Sequence, residues 1–319
     1  MNPPRRLLPF SLPHFLTPYL FLLPAMAILG LTVFYPALQA FYLSFTSYGY
    51  DLTQTPQWIG LANFKRLLSD DVFWQTLGNT FLYLLGVVPI LVLAPLGLAI
   101  LVNRQLRLIN WFRLSFYTPV VISMVVAGIA WRAIYRSNGL LNQFWQQLDN
   151  LVGGLFSWLF QLIEIDLQAG IPWLTSPQLV LWSVMGVTIW KGLGYYMVIY
   201  LAGLQTISPE FYEAAAIDGS DGWLKHWDIT LPLMRPYLLL VAVISAISAT
   251  KVFEEVYILT QGGPGNSSKT VVYYLWEQGF RYIEISYACA MGLILFLVIL
   301  VFSLLNLRLS SYGNPYGIK

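Results

Sequence analysis

The sequence predicts an all-α integral membrane protein with about six transmembrane helices. Three observations carry that prediction. Of the 319 residues, 57% are apolar and only 10% charged, with a mean hydropathy of +0.64, whereas a soluble domain coats itself with about 25% charged residues. Several runs reach the length of about 20 apolar residues that a helix needs to cross a bilayer. Polar residues are gathered into short islands between those runs. A soluble enzyme and a disordered chain are excluded by these figures. A formal charge of +2 gives no electrostatic footprint for nucleic acid.

Residues 7–50 contain no Asp, Glu, Lys or Arg, and the richest part, 18–45, reads as the first span. Arg5, Arg6 and Ala25-Met26-Ala27 mimic a secretory signal with its cleavage site. The apolar run continues through Phe45, and Pro9, Pro13, Pro18 and Pro24 make a poor signal core, so an uncleaved helix is expected. The second span is read at 77–102, and the third at 114–131, between Arg113 and Arg132. The fourth, 179–204, is broken only by Lys191, and the fifth, 237–259, carries Lys251, Glu254 and Glu255 toward its end. A charge-free run at 285–307 is the sixth. Residues 151–165 are apolar but short and hold Gln161 and Glu164. They fit an interfacial or re-entrant segment, with a seventh span as the alternative. Trp145, Trp158 and Trp173 suit the headgroup level.

Six spans put both termini on one side. Placing them in the cytoplasm puts Arg5, Arg6, Arg104, Arg107, Arg113, Lys225, Arg235, Arg308 and Lys319 inside. Lys65, Arg66, Arg132, Arg136, Lys269 and Arg281 fall outside, a modest bias of the correct sign. The resulting organisation is a cytoplasmic segment 1–16, a membrane domain 17–310 with a long outer loop 137–177 and an inner loop 205–236, and a cytoplasmic tail 311–319.

The inner loop is the most informative island. Ser208 can cap free amides, Pro209 suits the first helical position, and Glu210 and Glu213 sit near the positive end of the dipole. Ala214, Ala215 and Ala216 give helix propensity and a bare surface, and Gly219 can end the helix in the left-handed conformation. Residues 223–227 supply a second amphipathic turn, and Pro232 is expected to break the chain before the fifth span. Composition alone makes this elbow an amphipathic connector resting on headgroups.

Its residues say more. Glu213-Ala214-Ala215, Asp218-Gly219, Ile229, Leu231-Pro232 and Pro236 resemble the EAA loop of binding-protein-dependent ABC importer permeases, in residue type and spacing. The resemblance extends along the chain through Tyr42-Leu43-Ser44-Phe45-Thr46, Gly60-Leu61-Ala62-Asn63-Phe64, Asn79-Thr80, Thr118-Pro119-Val120-Val121-Ile122-Ser123, Trp190-Lys191-Gly192 and Leu259-Thr260-Gln261-Gly262-Gly263-Pro264-Gly265. These look like the carbohydrate-uptake branch, similar to one permease half of maltose-type transporters and to a glycerol-3-phosphate importer permease. The outer segment 142–175 departs from the pattern by being longer and more aromatic.

The resemblance implies a type I ABC importer permease fold in a bacterial inner membrane. It implies a second permease subunit, two ATP-binding subunits carrying ATP and Mg, and a periplasmic solute-binding protein. The chain itself would bind no cofactor and no metal. Glu213, Ala214, Ala215, Asp218, Gly219, Leu231 and Pro232 would couple to the ATPase. Gly192, Tyr195 and Ser245 match sugar-site positions of the maltose-type subunit, as do Ala249 and Val252, which lack its amide side chains. Gly192 serves equally well for close helix packing. Ser245, Ser248 and Lys251 or Val252 also recur at helical spacing along one seam of the fifth span, as a pathway lining would. The implied solute is a sugar, oligosaccharide or glycoside; a glycerol-3-phosphate or polyol importer is the alternative.

Other readings have less to stand on. Residues 263–270 imitate a phosphate-binding loop, but Ser268 stands where the second glycine belongs, so ATP hydrolysis is expected on a separate chain. His14 and His226 are far apart, Cys289 is alone in an apolar run, and neither HExxH nor GxSxG occurs. An ATP-independent secondary transporter would show repeated halves, and it would leave the elbow unexplained. Lys191, Lys251, Glu254 and Glu255 within spans either line a solute path or, for Lys251 and Glu255 at i,i+4, pair on one helix face.

Overall fold

The computed structural model describes residues 17–49, 51, 53, 55–103, 107–152, 154–161 and 169–311. The first span is α1 (Thr17–Leu29), a π-helical turn (Gly30–Phe34) and α2 (Tyr35–Leu43). Pro36 has no N–H to return to the preceding turn, and the helix widens there instead of breaking. The helix runs on through Ala25-Met26-Ala27, and it lies at the periphery with its apolar window unburied.

A two-residue antiparallel pair, β1 (Thr46–Ser47) with β2 (Gln57–Trp58), and the short α3 (Ala62–Leu68) lead into α4 (Asp71–Val102). Next come α5 (Ile109–Val121), α6 (Met124–Ile134), α7 (Leu140–Leu151), α8 (Leu155–Gln161) and α9 (Val180–Leu204). The elbow is α10 (Pro209–Ile217), a π-helical turn (His226–Thr230) and α11 (Leu231–Leu233). It leads into α12 (Arg235–Thr250), α13 (Glu254–Leu259) and α14 (Val271–Trp276). A last π-helical turn, Glu277–Arg281, precedes α15 (Ile285–Ser311).

Among the described residues, three helices are by themselves long and apolar enough to span: Pro18–Leu43, Asp71–Val102 and Val180–Leu204. The sixth run opens α15, apolar over Ile285–Val301. The other two expected spans are not single straight helices. The third is α5 and α6, bent by 100° across Ile122-Ser123, where Ser123 caps the new helix by accepting from the Val126 amide. The fifth begins earlier and ends sooner than expected. The segment His226–Leu233 meets α12 at a bend of 58°, and α12 stops at Thr250, with α13 starting afresh at Glu254. Lys251 and Glu255 therefore do not share a helix face, and they form no ion pair with each other.

The core lies where α4, α9 and α12 meet, around Tyr83, Val87, Val184, Met197, Tyr200 and Val241, all essentially inaccessible. The tyrosines are buried because their hydroxyls find partners. Tyr83 shares a 2.5 Å hydrogen bond with Thr188, Tyr200 donates to the Val92 carbonyl at 3.0 Å, and Tyr135 donates to the Ser183 carbonyl at 2.9 Å.

At the end of the bundle away from the elbow, polar side chains clasp the loops. Asp70 caps α4 by accepting from the Val72 and Phe73 amides, and it also accepts from Tyr274 Oη at 2.7 Å and Tyr287 Oη at 2.5 Å. Burial pushes the Asp70 carboxyl up, but these four donors outweigh it and hold it below its ordinary value. Asn63 Nδ2 donates to the Ser44 and Thr46 carbonyls, and Asn79 Nδ2 donates to those of Asn266 and Lys269, all at 2.9 Å. Lys269 and Glu277 form a buried 2.5 Å ion pair.

Among the described residues, the segment 137–161 is a helical hairpin, α7 and α8, with no helix long enough to span. Trp173 is half-buried: its Nε1 donates to Asn142 Oδ1 at 3.1 Å, and its ring packs on Tyr135. Trp145 is turned onto Phe156, with ring centroids 5.3 Å apart. Glu164, His14, Arg5, Arg6, Arg104 and Lys319 lie outside the described residues, as do the segments 1–16 and 312–319.

Candidate functional site

A cavity of about 510 Å³ opens between α4, α5, α9, α12 and α13. Tyr83, Val87 and Leu91 reach it from one face of α4 at i, i+4 and i+8, and Thr188, Lys191, Gly192, Tyr195 and Tyr196 reach it from α9. Ser245, Ser248 and Ala249 come from the last turns of α12, and Lys251, Val252 and Phe253 come from the break after it. Glu254 and Glu255 arrive on the first turn of α13. All seven residues read as pathway candidates, Gly192, Tyr195, Ser245, Ser248, Ala249, Lys251 and Val252, thus converge on one space.

They do not play equal parts. Ser245, Ala249 and Val252 are buried wall, and the Ser245 hydroxyl donates to the Ala242 carbonyl of its own helix at 3.2 Å. Gly192 sets the approach of α4 to α9, because a Cβ there would lie 2.8 Å from Leu91 Cδ2. Tyr195, Ser248, Lys251 and Glu254 present exposed polar groups.

Two helix breaks border the cavity. At the first, Lys191 Nζ donates to the Ile122 carbonyl at 2.8 Å, placing an ammonium at the negative end of the α5 dipole. The sequence marks Lys191 as an intramembrane charge that would line a solute path, but it does not show this anchoring, since nothing in the run 114–131 marks residue 122 as a free carbonyl. The second break, at 251–253, supplies Lys251 and Phe253. Tyr83, Thr188, Tyr196 and Phe253 were missed as lining residues. The i, i+4, i+8 alignment of Tyr83 with Val87 and Leu91 was the available signal for the first.

A larger space of about 900 Å³ between α2 and α15 is lined wholly by apolar residues such as Phe41, Phe280 and Phe296. It has no donor or acceptor side chain to orient a polar solute.

The elbow closes the other end of the bundle. Gly219 takes φ +85°, and the Ser220 amide returns to the Ala215 carbonyl at 2.8 Å, which ends α10 in a Schellman motif. Ser208 precedes α10 in extended conformation, but its hydroxyl caps nothing. Pro232 does not break the chain. It follows a π-helical turn within one continuous segment, 226–233, so the helix widens ahead of it as it does at Pro36, and the bend falls at Met234. Thr230 knits the two halves of the elbow, bonding Tyr212 Oη and His226 Nδ1, each at 3.1 Å. Tyr212, Lys225 and His226 frame a cavity of about 230 Å³ against Ile100, Asn103 and Leu204, at the ends of α4 and α9.

Of the expected coupling residues, Glu213, Ala214, Asp218, Gly219 and Pro232 are exposed, Leu231 is half-buried and Ala215 is buried. The elbow also exposes Phe211, Ile217, Trp223, Leu224 and Trp227, with Ile217 at 86%.

The sequence profile described as "Binding-protein-dependent transport system inner membrane component" matches residues 68–311, from the end of α3 through the elbow to the end of α15. The chain belongs to that family. The permease is 33% identical to the lactose transport system permease protein LacF of Rhizobium radiobacter over 297 residues, covering 90% of this chain and 92% of the relative. It is 33% identical to the arabinooligosaccharides transport system permease protein AraP of Bacillus subtilis over 302 residues, covering 94% and 90%. The fold is also that of a chain in the crystal structure of a bacterial alginate ABC transporter in complex with alginate pentasaccharide-bound periplasmic protein. The TM-score there is 0.77 at 23% identity, covering 95% of the permease and 96% of that chain.

Proposed function

We propose that the permease conducts a sugar, oligosaccharide or glycoside inward as one membrane subunit of an ATP-driven importer. The observation that carries this reading is that one helix joins the two candidate sites. α12 leaves the elbow at Arg235 and ends beside the cavity at Thr250. A displacement of the elbow is thereby a displacement of Ser248 and Lys251. Exposed hydroxyls and rings at Tyr195 and Ser248 suit a polyhydroxy solute, whose hydroxyls accept and donate while its C–H faces stack. The curated relatives named for lactose and arabinooligosaccharides support the same solute class.

In this reading a solute-binding protein delivers the solute at the clasped end, and both termini lie in the cytoplasm with the elbow. Two ATP-binding subunits, holding ATP and Mg, grip the elbow around Glu213, Ala214, Ala215, Asp218 and Gly219, with Leu231 and Pro232 setting its exit. A second permease subunit completes the pathway. ATP binding then drives a rigid-body switch, because it distinguishes two states of the ATPase pair.

A glycerol-3-phosphate or polyol solute is the second reading, favoured by the ammonium groups of Lys191 and Lys251 in the cavity. Glu254 and Glu255 on the same lining oppose a doubly charged anion. Titration of the cognate solute-binding protein with sugars, glycosides and glycerol phosphates, followed by uptake into proteoliposomes, decides between them. Sugar or glycoside binding and uptake is expected. Binding of glycerol phosphates alone overturns the sugar assignment.

A further inference from the structure

Between residues 137 and 161 the chain carries a single charged residue, Asp149. That carboxylate is buried and turned inward, accepting from the Ser157 amide at 2.8 Å and from the Ser157 hydroxyl. It locks α7 to α8 and leaves the outside of the hairpin without charge. Large apolar side chains and the uncharged amides of Gln143, Gln147 and Asn150 take the surface instead. Leu140, Phe144 and Leu151 fall on one face of α7 and are 70%, 56% and 83% exposed, and Trp158 of α8 is 60% exposed.

This face is held in a fixed direction. Asn142 at the base of the hairpin is inaccessible and fully engaged. It donates to the Arg136 and Ile171 carbonyls and accepts from the Ile171 amide and the Trp173 indole. A satisfied buried amide of this kind fixes one arrangement of the segments around it.

The hairpin also leaves directly from α6, the second arm of the bent α5–α6 pair. Val125, Val126 and Ile129 are exposed along α6, and the tight turn closed by the Gly139 amide on the Arg136 carbonyl starts α7 at once. At that joint Arg132 and Arg136 are exposed, and neither takes part in an ion pair among the described residues. A helical hairpin whose one carboxylate is turned inward, whose second helix exposes an indole, and which stands beside two exposed guanidinium groups has the chemistry of the boundary between acyl chains and phosphates.

We propose that the α7–α8 hairpin is a monotopic anchor in the phospholipid leaflet opposite the elbow. Leu140, Phe144, Leu151 and Trp158 enter the acyl boundary, and Arg132 and Arg136 meet lipid phosphates. The anchor ties α6, one arm of the bent third span, to the membrane plane. This holds whichever solute is carried and whichever face is cytoplasmic.

The test uses the assembled transporter in nanodiscs of phosphatidylethanolamine and phosphatidylglycerol, with Cys289→Ala as background. Nitroxide labels are placed singly at Phe144→Cys and Leu151→Cys, and at Asn150→Cys on the flank of α7 as a control. At positions 144 and 151, molecular oxygen is expected to collide with the label several-fold more often than a water-soluble nickel chelate, with the order reversed at 150. Ready access of the nickel chelate at 144 and 151 overturns the anchor in favour of a water-facing surface. Protection of both labels from both reagents overturns it in favour of a protein partner. Protection that appears only when the solute-binding protein is added assigns the face to that protein, and the proposal fails.

Discussion

The two ends of the bundle are built on opposite principles. At the clasped end, polar groups are answered from within the chain. Asp70 takes four donors, Asn63 and Asn79 each bridge two carbonyls, and Lys269 is paired with Glu277. At the elbow the polar bonds are internal, Thr230 with Tyr212 and His226, and Ser220 with Asp228. Outside them stand Phe211, Ile217, Trp223, Leu224 and Trp227, large and uncovered. The difference teaches that a saturated region specifies its own shape, whereas a region with rigid internal bonding and an uncovered apolar exterior is shaped to be held by something else.

Three measurements break or sharpen that comparison. The largest effect is expected at the elbow. Gly219→Pro forces a negative φ on a residue that needs φ +85°. Transport should be abolished and the ATPase subunits should no longer co-purify, while the thermal unfolding of the permease hardly changes. Retained ATPase co-purification would argue that the elbow is not the held surface.

The clasped end should show the reverse. Lys269→Met strands the Glu277 carboxylate, whose side chain is only 8% accessible, with a remaining Arg281 contact at 3.5 Å. Breaking a buried pair costs about 3–5 kcal/mol, so a marked drop in unfolding temperature is expected with the ATPase subunits still bound in the cold. The double variant Lys269→Met with Glu277→Met should recover much of the loss, and a double variant no better than the single would refute a charge-pairing origin.

The smallest effect is a pH dependence. Because the folded Asp70 carboxyl sits below its ordinary value of 3.8, its contribution is complete above that value and is lost as pH falls through the lower folded value. Protease access to the 48–70 region should therefore rise only in strong acid, and Asp70→Asn should remove that step. An unchanged acid profile in the variant would place the step elsewhere.

Much of this architecture was legible in the sequence because a bilayer imposes a simple rule: charge-free runs of sufficient length become helices. What stayed hidden were the interruptions. Ile122-Ser123 contains no glycine or proline, and the 100° bend there is supported by the Lys191 ammonium, a partner 69 residues away. The end of α12 at Thr250 likewise has no local marker, so Lys251 and Glu255 looked like neighbours on one helix. The cavity residues were found together because two independent readings, hydroxyl spacing on the fifth span and family resemblance, pointed to them. Their division into buried wall and exposed groups required the packing of α4 against α9. Asn63, Asn79 and Thr80 were recognised only as family pattern. The structure gives them a physical role, since Thr80 Oγ1 accepts from the Val271 amide at 3.0 Å just as the two asparagines hold neighbouring loops.

The helix between elbow and cavity has 16 residues, a length of about 24 Å at 1.5 Å per residue. With the pivot near Met234, a tilt of about 5° carries its far end about 2 Å without any hydrogen bond within the helix being remade. A lever arm of that length turns a small angular input into a change of bore. The chemistry at its tip can then be altered for a new cargo while the handle stays the same.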